Sequence, residues 1–284
     1  MGKLTQVITV ITVVCFVLIS FANADSDEYV YKQSFMPRQT VEIDLAKTAM
    51  FVTDPQNDFL SKKSPIWGIV GPTVTKNKVV EKEKRLKTLA KELGIPVFYS
   101  THMYTPQDFE NWKSLNGIDK VMFENKMFAQ GTWGHDYHPE LKPDSNTVVL
   151  NPHKGLSNFW SGDASIQLRE YGIETLIMYG MSANMCVESH ARDAIENGFD
   201  VIILADATAA AGDAAYEAAL INFEFIAHEV MTTNQVIKRL EKAKREELKE
   251  KETGKKDKMD KDKMDMEKTD SIKKKHNKMG KDKM

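Results

Sequence analysis

Short apolar runs alternate with helical patterns through the middle of the chain. The runs lie near residues 49–53, 95–100, 147–150, 173–179, 199–204 and 224–231. They are nearly continuous rather than alternating, which is typical of parallel strands covered on both faces. Three helical stretches end in Glu-X-Gly directly before such a run, at Gly94, Gly172 and Gly198, and glycine suits the left-handed position that ends a helix. The pattern predicts an α/β fold, a three-layer α/β/α sandwich with a mostly parallel sheet of about six strands.

The first 24 residues differ from this middle part. They contain one basic residue, Lys3, then an apolar stretch from Val7 to Phe21, and end in Ala22-Asn23-Ala24. This is the three-part pattern of a secretory signal, so we expect residues 1–24 to be a signal peptide cleaved after Ala24. An uncleaved anchor is the alternative, although the run is short for a membrane span of about 20 residues. The predicted location is therefore secreted or periplasmic, with no membrane span after cleavage.

The last 47 residues differ again. Residues 238–284 carry 19 Lys/Arg and 12 Asp/Glu, contain no aromatic residue and repeat Lys-Asp-Lys-Met three times. Their net charge of +7 contrasts with −10 for residues 25–237. We expect one folded domain over 25–237, then a helix near 234–250 that runs into a disordered tail. A solvated tail is the simplest interpretation, and docking on an anionic surface or metal capture by its methionines and His276 are alternatives. No nucleic-acid partner is expected, because the body is acidic and the tail has no aromatic residue for stacking.

Three reactive side chains each follow a predicted strand. They are Asp54, Lys154 and Cys186, the last being the only cysteine after residue 24. Carboxyl ends of parallel strands line the ligand crevice of such sheets, so the three are candidates for one site. Cys186 precedes a predicted helix from Val187 to Asn197, whose dipole would lower the thiol pKa from about 8.5. A buried structural cysteine is the alternative.

Around these residues the chain resembles the isochorismatase-like cysteine hydrolases, which include nicotinamidases and N-carbamoylsarcosine amidase. The matching segments are Asp54-Pro55-Gln56-Asn57-Asp58-Phe59, Lys154 with Trp160, and Gly180 through Val187, within about residues 45–233. The resemblance implies that Asp54, Lys154 and Cys186 are the catalytic triad. It also implies an oxyanion hole made by the backbone N–H groups of Ser182 and Cys186, with a cis peptide at Met181-Ser182.

The chemistry requires these residue types. A carboxylate takes the thiol proton, the thiolate attacks a carbonyl carbon, and water hydrolyses the resulting thioester. The resemblance therefore implies a cysteine hydrolase that cleaves a C–N bond of a small amide, ureide or N-carbamoyl compound and that forms a homo-oligomer, and the signal-like residues 1–24 predict that it is exported. The alternatives are a non-catalytic binding protein that presents the basic tail, or isochorismatase-type hydrolysis, which needs no cysteine.

Metal-binding relatives carry an Asp-aromatic-His motif after the second strand, which this chain lacks. Here the segment runs Ser100-Thr101-His102-Met103-Tyr104-Thr105, so His102 and Tyr104 replace the aspartate and the histidine. His135, His138 and His153 match no standard ligand spacing. We therefore expect no metal and no other cofactor.

Aromatic residues in the connecting segments are candidates for the substrate pocket. They are Phe59, Trp67, Trp133 and Trp160. The segment Gly131-Thr132-Trp133-Gly134 resembles a pocket loop of the family. Ordinary core packing is the alternative for each of these aromatic side chains.

Overall fold

The computed structural model describes residues 39–253 and residue 258. Contacts divide the chain into two units after Ile237. In the second unit, residues 238–253 are helical. The predicted signal peptide and the predicted disordered extension lie outside the described residues, apart from the short stretch up to 253 and residue 258. No helix among the described residues is both long enough and apolar enough to cross a membrane.

The first unit contains a six-stranded sheet in which every neighbouring pair is parallel. The strands are β1 (Thr48–Thr53), β2 (Val97–Ser100), β3 (Thr147–Val149), β4 (Thr175–Met181), β5 (Asp200–Ala209) and β6 (Glu229–Met231). Their order across the sheet is β3-β2-β1-β4-β5-β6. The predicted α/β fold is confirmed. Because the winding direction reverses between β1 and β4, the crevice beyond their carboxyl ends is where such a sheet binds ligands.

Between residue 39 and Met231, nine α-helices connect and cover the strands. They are α1 (Asn57–Leu60), α2 (Trp67–Lys76), α3 (Val79–Leu93), α4 (Pro106–Asn111), α5 (Gly117–Glu124), α6 (Asn158–Ser161), α7 (Ala164–Glu170), α8 (Glu188–Glu196) and α9 (Asp213–Ile226). The run predicted as a strand over 224–231 therefore begins inside α9, and only its last residues form β6. A short apolar run does not by itself distinguish a buried helix from a strand.

Alternation along the strands builds two hydrophobic clusters. Phe51 and Met178 belong to one cluster, which includes buried residues of α7, α8 and α9. The other cluster joins buried residues of α1, α2 and α5 to Met181 at the end of β4. Because successive strand residues point to opposite faces, the fully buried β1 contributes to both sides of the sheet. The strand ends at the crevice are thus fixed from two sides.

The ends of β1 and β4 approach each other unusually closely. Gly180 pairs with Thr53, and a Cβ atom at Gly180 would lie 2.2 Å from the Thr53 carbonyl oxygen. Gly180 also has a φ of 116°, which L side chains rarely adopt. Asp54 then turns the chain with a φ of 51°, while its N–H donates to the carbonyl of Ser100 at 2.8 Å. Asp54 and the segment leading to Cys186 therefore begin from adjacent backbone positions.

Candidate active site

Asp54 and Cys186 lie close together at the crevice between β1 and β4. Asp54 directly follows β1 and is fully buried. Cys186 lies in a π-helical turn, Ala183–Val187, that leads into α8, and its side chain is 1% exposed. A carboxylate oxygen of Asp54, a ring nitrogen of His102 and the Cys186 Sγ all lie within 4.8 Å of one another. Two of the three residues predicted to form the triad are therefore neighbours.

The third predicted residue, Lys154, is not brought to Asp54. Its Nζ lies 2.6 Å from Oδ1 of Asp108 on α4. The neighbouring His153 is fully buried instead, and its Nε2 lies 3.0 Å from Oδ1 of Asp54. The placement predicted for Lys154 is thus corrected by one residue, because His153 holds the position beside Asp54.

The backbone explains this difference of one residue. The segments that follow β2 and β3 remain paired with each other. The His153 N–H donates to the Thr101 carbonyl at 2.8 Å, and the Met103 N–H donates to the His153 carbonyl at 3.2 Å. In extended chain, consecutive side chains point in opposite directions. Since His153 faces Asp54, Lys154 faces away from it.

Asp108 forms a defined partner for Lys154. Thr105 and Asp108 form a capping box at the start of α4. Although partial burial raises the pKa of Asp108, hydrogen bonds from Lys154 and Thr105 outweigh it and hold the pKa below its usual value. The ion pair therefore ties the segment after β3 to α4.

His102, His153 and His190 form a buried histidine cluster next to Cys186. The ring centroids of His102 and His153 are 4.6 Å apart, and those of His153 and His190 are 5.1 Å apart. All three side chains are fully buried. They come from the segments after β2 and β3 and from α8, so their proximity is a property of the tertiary fold.

His190 fixes the backbone of the cysteine turn. Its Nε2 accepts from the backbone N–H of Asn158 at 2.9 Å, so Nδ1 carries the proton and donates to the Cys186 carbonyl at 2.5 Å. Burial, and secondly the neighbouring His153, lower the pKa of His190 to about 3. The ring is therefore neutral and acts as a fixed donor. The i, i+4 spacing of Cys186 and His190 on one helix face is a sequence signal that could have identified this contact.

The backbone of His102 is held by hydrogen bonds, whereas its ring nitrogens make none among the described residues. Its N–H donates to Oε1 of Gln56 at 2.8 Å, and Nε2 of Gln56 donates to the His102 carbonyl at 3.0 Å. The ring stacks on Phe128 with centroids 5.0 Å apart. Burial, and secondly His153, hold the pKa of His102 well below its usual value.

Several buried polar atoms of the site have no hydrogen-bond partner among the described residues. They are both ring nitrogens of His102, Nδ1 of His153 and Oδ2 of Asp54. Buried polar atoms are normally paired, so each such atom needs an explanation. Their concentration around Cys186 is characteristic of a site that binds a polar ligand.

The Cys186 thiol has a raised pKa, contrary to the expectation from its helix-terminal position. Burial raises the pKa well above its usual value, and the nearby carboxylate of Asp54 raises it further. The backbone N–H groups of Ser182 and Cys186 point to the sulfur and oppose this without reversing it. A helix N-terminus therefore has less effect here than full burial. The raised pKa keeps the Cys186 thiol protonated at neutral pH.

The backbone near Cys186 carries the two N–H groups that were predicted as oxyanion donors, and this role stays a prediction. The peptide bond between Met181 and Ser182 is cis, as the resemblance implied. The N–H groups of Ser182 and Cys186, which were predicted as the donors, both lower the pKa of the Cys186 thiol. An oxygen on a carbonyl carbon attacked by this sulfur would lie near the same two donors.

The four predicted pocket aromatics occupy different environments. Phe59 is buried in the core, 5.0 Å from the ring of Phe128. Trp67 lines a groove with Leu60 and His138. Trp133 is 43% exposed, and its carbonyl accepts from the Asn57 side chain at 2.8 Å, which fastens its loop to α1. Trp160 is 84% exposed and lines a second groove with Lys154 and Arg192.

The metal-ligand motif of the nicotinamidases is not reproduced. Tyr104 is buried, and its hydroxyl lies 3.5 Å from Oδ1 of Asp119 and 3.7 Å from Sδ of Met122. A different group of potential ligands exists at the site, namely Asp54, His102 and Cys186. The prediction that no metal binds was based on the 100–105 segment and on the spacing of His135, His138 and His153, and it stays a prediction.

Comparison with known proteins places the chain in a family. Residues 48–235 match the isochorismatase domain. Ureidoacrylate amidohydrolase RutB of Serratia proteamaculans is 32% identical over 191 residues, which are 63% of this chain and 76% of the relative. The same enzyme of Methylorubrum extorquens is 31% identical over 199 residues, 66% of this chain and 79% of the relative.

Solved structures agree on the fold. A cysteine hydrolase from Pseudomonas syringae pv. phaseolicola has a TM-score of 0.65 and 24% identity, covering 74% of this chain and 99% of that one. N-carbamoylsarcosine amidase from Thermoplasma acidophilum has a TM-score of 0.53 and 22% identity, covering 66% of this chain and 96% of that one. The chain therefore belongs to the isochorismatase family and is an enzyme of the hydrolase class.

The raised thiol pKa leads to a labelling prediction. Only the thiolate reacts with iodoacetamide, so Cys186 in the folded protein should be alkylated more slowly at pH 7 than a free cysteine of pKa about 8.5. Because the pKa is raised, the rate should still be increasing above pH 9. Mass spectrometry of the Cys186 peptide over a pH series measures this, with urea-unfolded protein as the control. If labelling were fast and its rate had already reached a plateau below pH 7, the thiol pKa would be low. The helix dipole and backbone N–H groups would then outweigh burial.

Proposed function

We propose that the protein is a cysteine amidohydrolase that cleaves the C–N bond of a small ureide, amide or N-carbamoyl compound through a Cys186 thioester. The observation that carries this proposal is the buried Asp54–His153 hydrogen bond, 3.0 Å long, beside the Cys186 thiol. The amidohydrolase names of the sequence relatives support the C–N bond as the target. A cysteine nucleophile also favours carbonyl chemistry over the vinyl-ether hydrolysis of isochorismatases.

The first half of the reaction begins from a neutral thiol. As Sγ of Cys186 attacks the carbonyl carbon, its proton passes to the carboxylate of Asp54. The carbonyl oxygen becomes negative and accepts from the backbone N–H groups of Ser182 and Cys186. Asp54 then donates the proton to the leaving nitrogen, the C–N bond breaks, and the acyl group remains on sulfur as a thioester.

The second half returns the enzyme to its starting state. Asp54, again a carboxylate, takes a proton from water as the water oxygen attacks the thioester carbon. The C–S bond breaks, and the sulfur recovers its proton from Asp54. One water is consumed, and an acid and an amine or ammonia are released. Each proton transfer uses the same carboxylate, so the position of Asp54 controls both halves.

His153 takes the part that the resemblance assigned to a lysine. Its Nε2–H donates to Oδ1 of Asp54, which fixes the carboxylate and leaves Oδ2 available for the proton of the thiol. A fixed donor stabilises the carboxylate whenever it is charged. His190 acts one step further away, because it holds the carbonyl of Cys186 rather than a reacting atom.

Adjacent substitutions distinguish His153 from Lys154. With ureidoacrylate and a panel of N-carbamoyl amino acids as substrates, we expect His153→Ala to lower kcat/KM by about 100-fold or more, since it removes the partner of the general base. Lys154→Met should change kcat/KM by less than about fivefold, because it breaks an ion pair with Asp108 that makes no contact with Asp54. Ammonia release measures the rates.

The controls separate chemistry from folding. Cys186→Ala should lower kcat/KM by about 1,000-fold or more, while circular dichroism shows whether each variant keeps its fold. His153→Lys should recover part of the activity lost in His153→Ala, because an ammonium can also donate to Asp54. If Lys154→Met abolished turnover and His153→Ala did not, the lysine would be the catalytic residue and the assignment of His153 would be wrong.

We also propose that the enzyme is exported. The support is the signal-like sequence of residues 1–24. Expression of the full chain in a Gram-negative host should yield periplasmic or secreted protein whose N-terminus, by mass spectrometry, is Asp25. Full-length protein that stays in the cytoplasmic fraction would contradict export. Self-association, which the resemblance implies, stays a prediction for light scattering on the same material.

A further inference from the structure

We infer that Asp54, His102 and Cys186 form a binding site for a thiophilic divalent cation of the Zn²⁺ type, and that the bound cation keeps the nucleophile inactive. The inhibitory half of this inference rests on the proposed function. The claim that a cation binds depends only on the positions and environment of the three side chains, and not on the proposed function. Thiolate sulfur, imidazole nitrogen and carboxylate oxygen are the three ligand types that zinc uses in proteins.

The first argument is the state of the ligand atoms. His102 is fully buried, and neither of its ring nitrogens has a hydrogen-bond partner among the described residues. Oδ2 of Asp54 is buried and unpartnered in the same way. A polar atom in a dry interior is normally paired. A cation between one ring nitrogen of His102, Oδ2 of Asp54 and the Cys186 sulfur would give a partner to one unpaired atom of each of the first two residues.

The second argument is distance. The three ligand atoms lie within 4.8 Å of one another. Around a tetrahedral zinc ion, with bonds of about 2.0–2.3 Å, ligand atoms are about 3.3–3.7 Å apart. Side-chain movements of about 1 Å therefore bring them into coordination. The backbone of His102 need not move, because Gln56 holds both its N–H and its carbonyl.

The third argument is the support behind the ligands. His153 donates to Oδ1 of Asp54, so the carboxylate already has its outer-sphere partner and presents Oδ2. Ligands of protein-bound metals are usually oriented by such second hydrogen bonds. Three protein ligands also leave one coordination position open. The proposed site uses the nucleophile itself, so it differs from the Asp-aromatic-His motif that Tyr104 interrupts.

Binding of the cation and attack on a substrate exclude each other. The cation displaces the thiol proton, the S–H bond is replaced by a sulfur–metal bond, and one proton is released to solvent. The sulfur electron pair that would attack the carbonyl carbon is then engaged. Asp54 can no longer accept the thiol proton, because its free oxygen is a ligand.

Cobalt(II) provides a direct test, because a thiolate bound to Co²⁺ absorbs in the near ultraviolet. The full chain carrying Cys15→Ser should be titrated with Co²⁺, so that Cys186 is the only thiol. We expect a charge-transfer band that saturates at one Co²⁺ per chain and is removed by added Zn²⁺. Cys186→Ser should abolish the band. His102→Asn and the near-isosteric Asp54→Asn should each weaken Co²⁺ binding by about 100-fold or more, since loss of a direct ligand should exceed the 10–100-fold effect of an outer-shell partner.

A matched histidine provides the control. His138→Asn alters a histidine that lies outside the cluster and should leave the Co²⁺ titration unchanged. Absence of the band would overturn the proposed site. A band that titrates with unchanged Co²⁺ affinity in both His102→Asn and Asp54→Asn would overturn it as well. Co²⁺ uptake without the band would place the metal elsewhere, for example in the Met-rich tail.

The Co²⁺ titration and the hydrolysis assay test the metal site and the proposed function separately. The Co²⁺ band needs no substrate, so it decides the metal site even if no amide is hydrolysed. Where hydrolysis is measured, the rate should fall in proportion to Co²⁺ occupancy and return when a chelator removes the metal. Undiminished turnover at full occupancy would overturn the inhibitory role.

Discussion

The close approach of β1 and β4 is the constraint on which the site depends. Gly180 lies so near the Thr53 carbonyl that no Cβ atom fits between them. This contact places Asp54, which turns away from β1, beside the turn that carries Cys186. A parallel sheet with two covered faces supplies the burial, and the reversal of strand order supplies the crevice. The proposed general base and nucleophile, from distant parts of the chain, therefore meet in a fully buried environment.

That buried environment decides the charge state of the site. Full burial keeps His102 and His190 neutral and leaves the proton on the Cys186 sulfur. Activation must then occur during attack, when Asp54 accepts the proton and fixed backbone N–H groups receive the developing negative charge. Fixed dipoles are most effective where water is excluded, because they need no reorganisation. The same exclusion leaves several ligand atoms unpartnered, which is why the site also suits a thiophilic cation.

Sequence patterns were sufficient for most of the sheet and for two positions of the candidate site. Continuous apolar runs predicted the strands except over 224–231, and Asp54 and Cys186 were singled out because Asp54 directly follows a strand and Cys186 lies in the turn after another. The prediction chose Lys154 instead of its neighbour His153. The reason is that β3 is short and partly exposed, so alternation does not show which of its residues point inward. A shift of one residue reverses the face of an extended chain. His102 reaches the site through pairing between separate segments, which a pattern along one segment does not encode, whereas the i, i+4 spacing of Cys186 and His190 was an available signal for His190.

The most direct test of the central claim is to capture the acyl group on the enzyme. Rapid acid quenching during turnover of a ureide substrate, followed by mass spectrometry of the Cys186 peptide, should detect the mass of the acyl fragment on that cysteine. The adduct should form within the first turnover and decay as substrate is exhausted. Full turnover with no adduct on Cys186, together with retained activity in Cys186→Ala, would contradict nucleophilic catalysis by this residue.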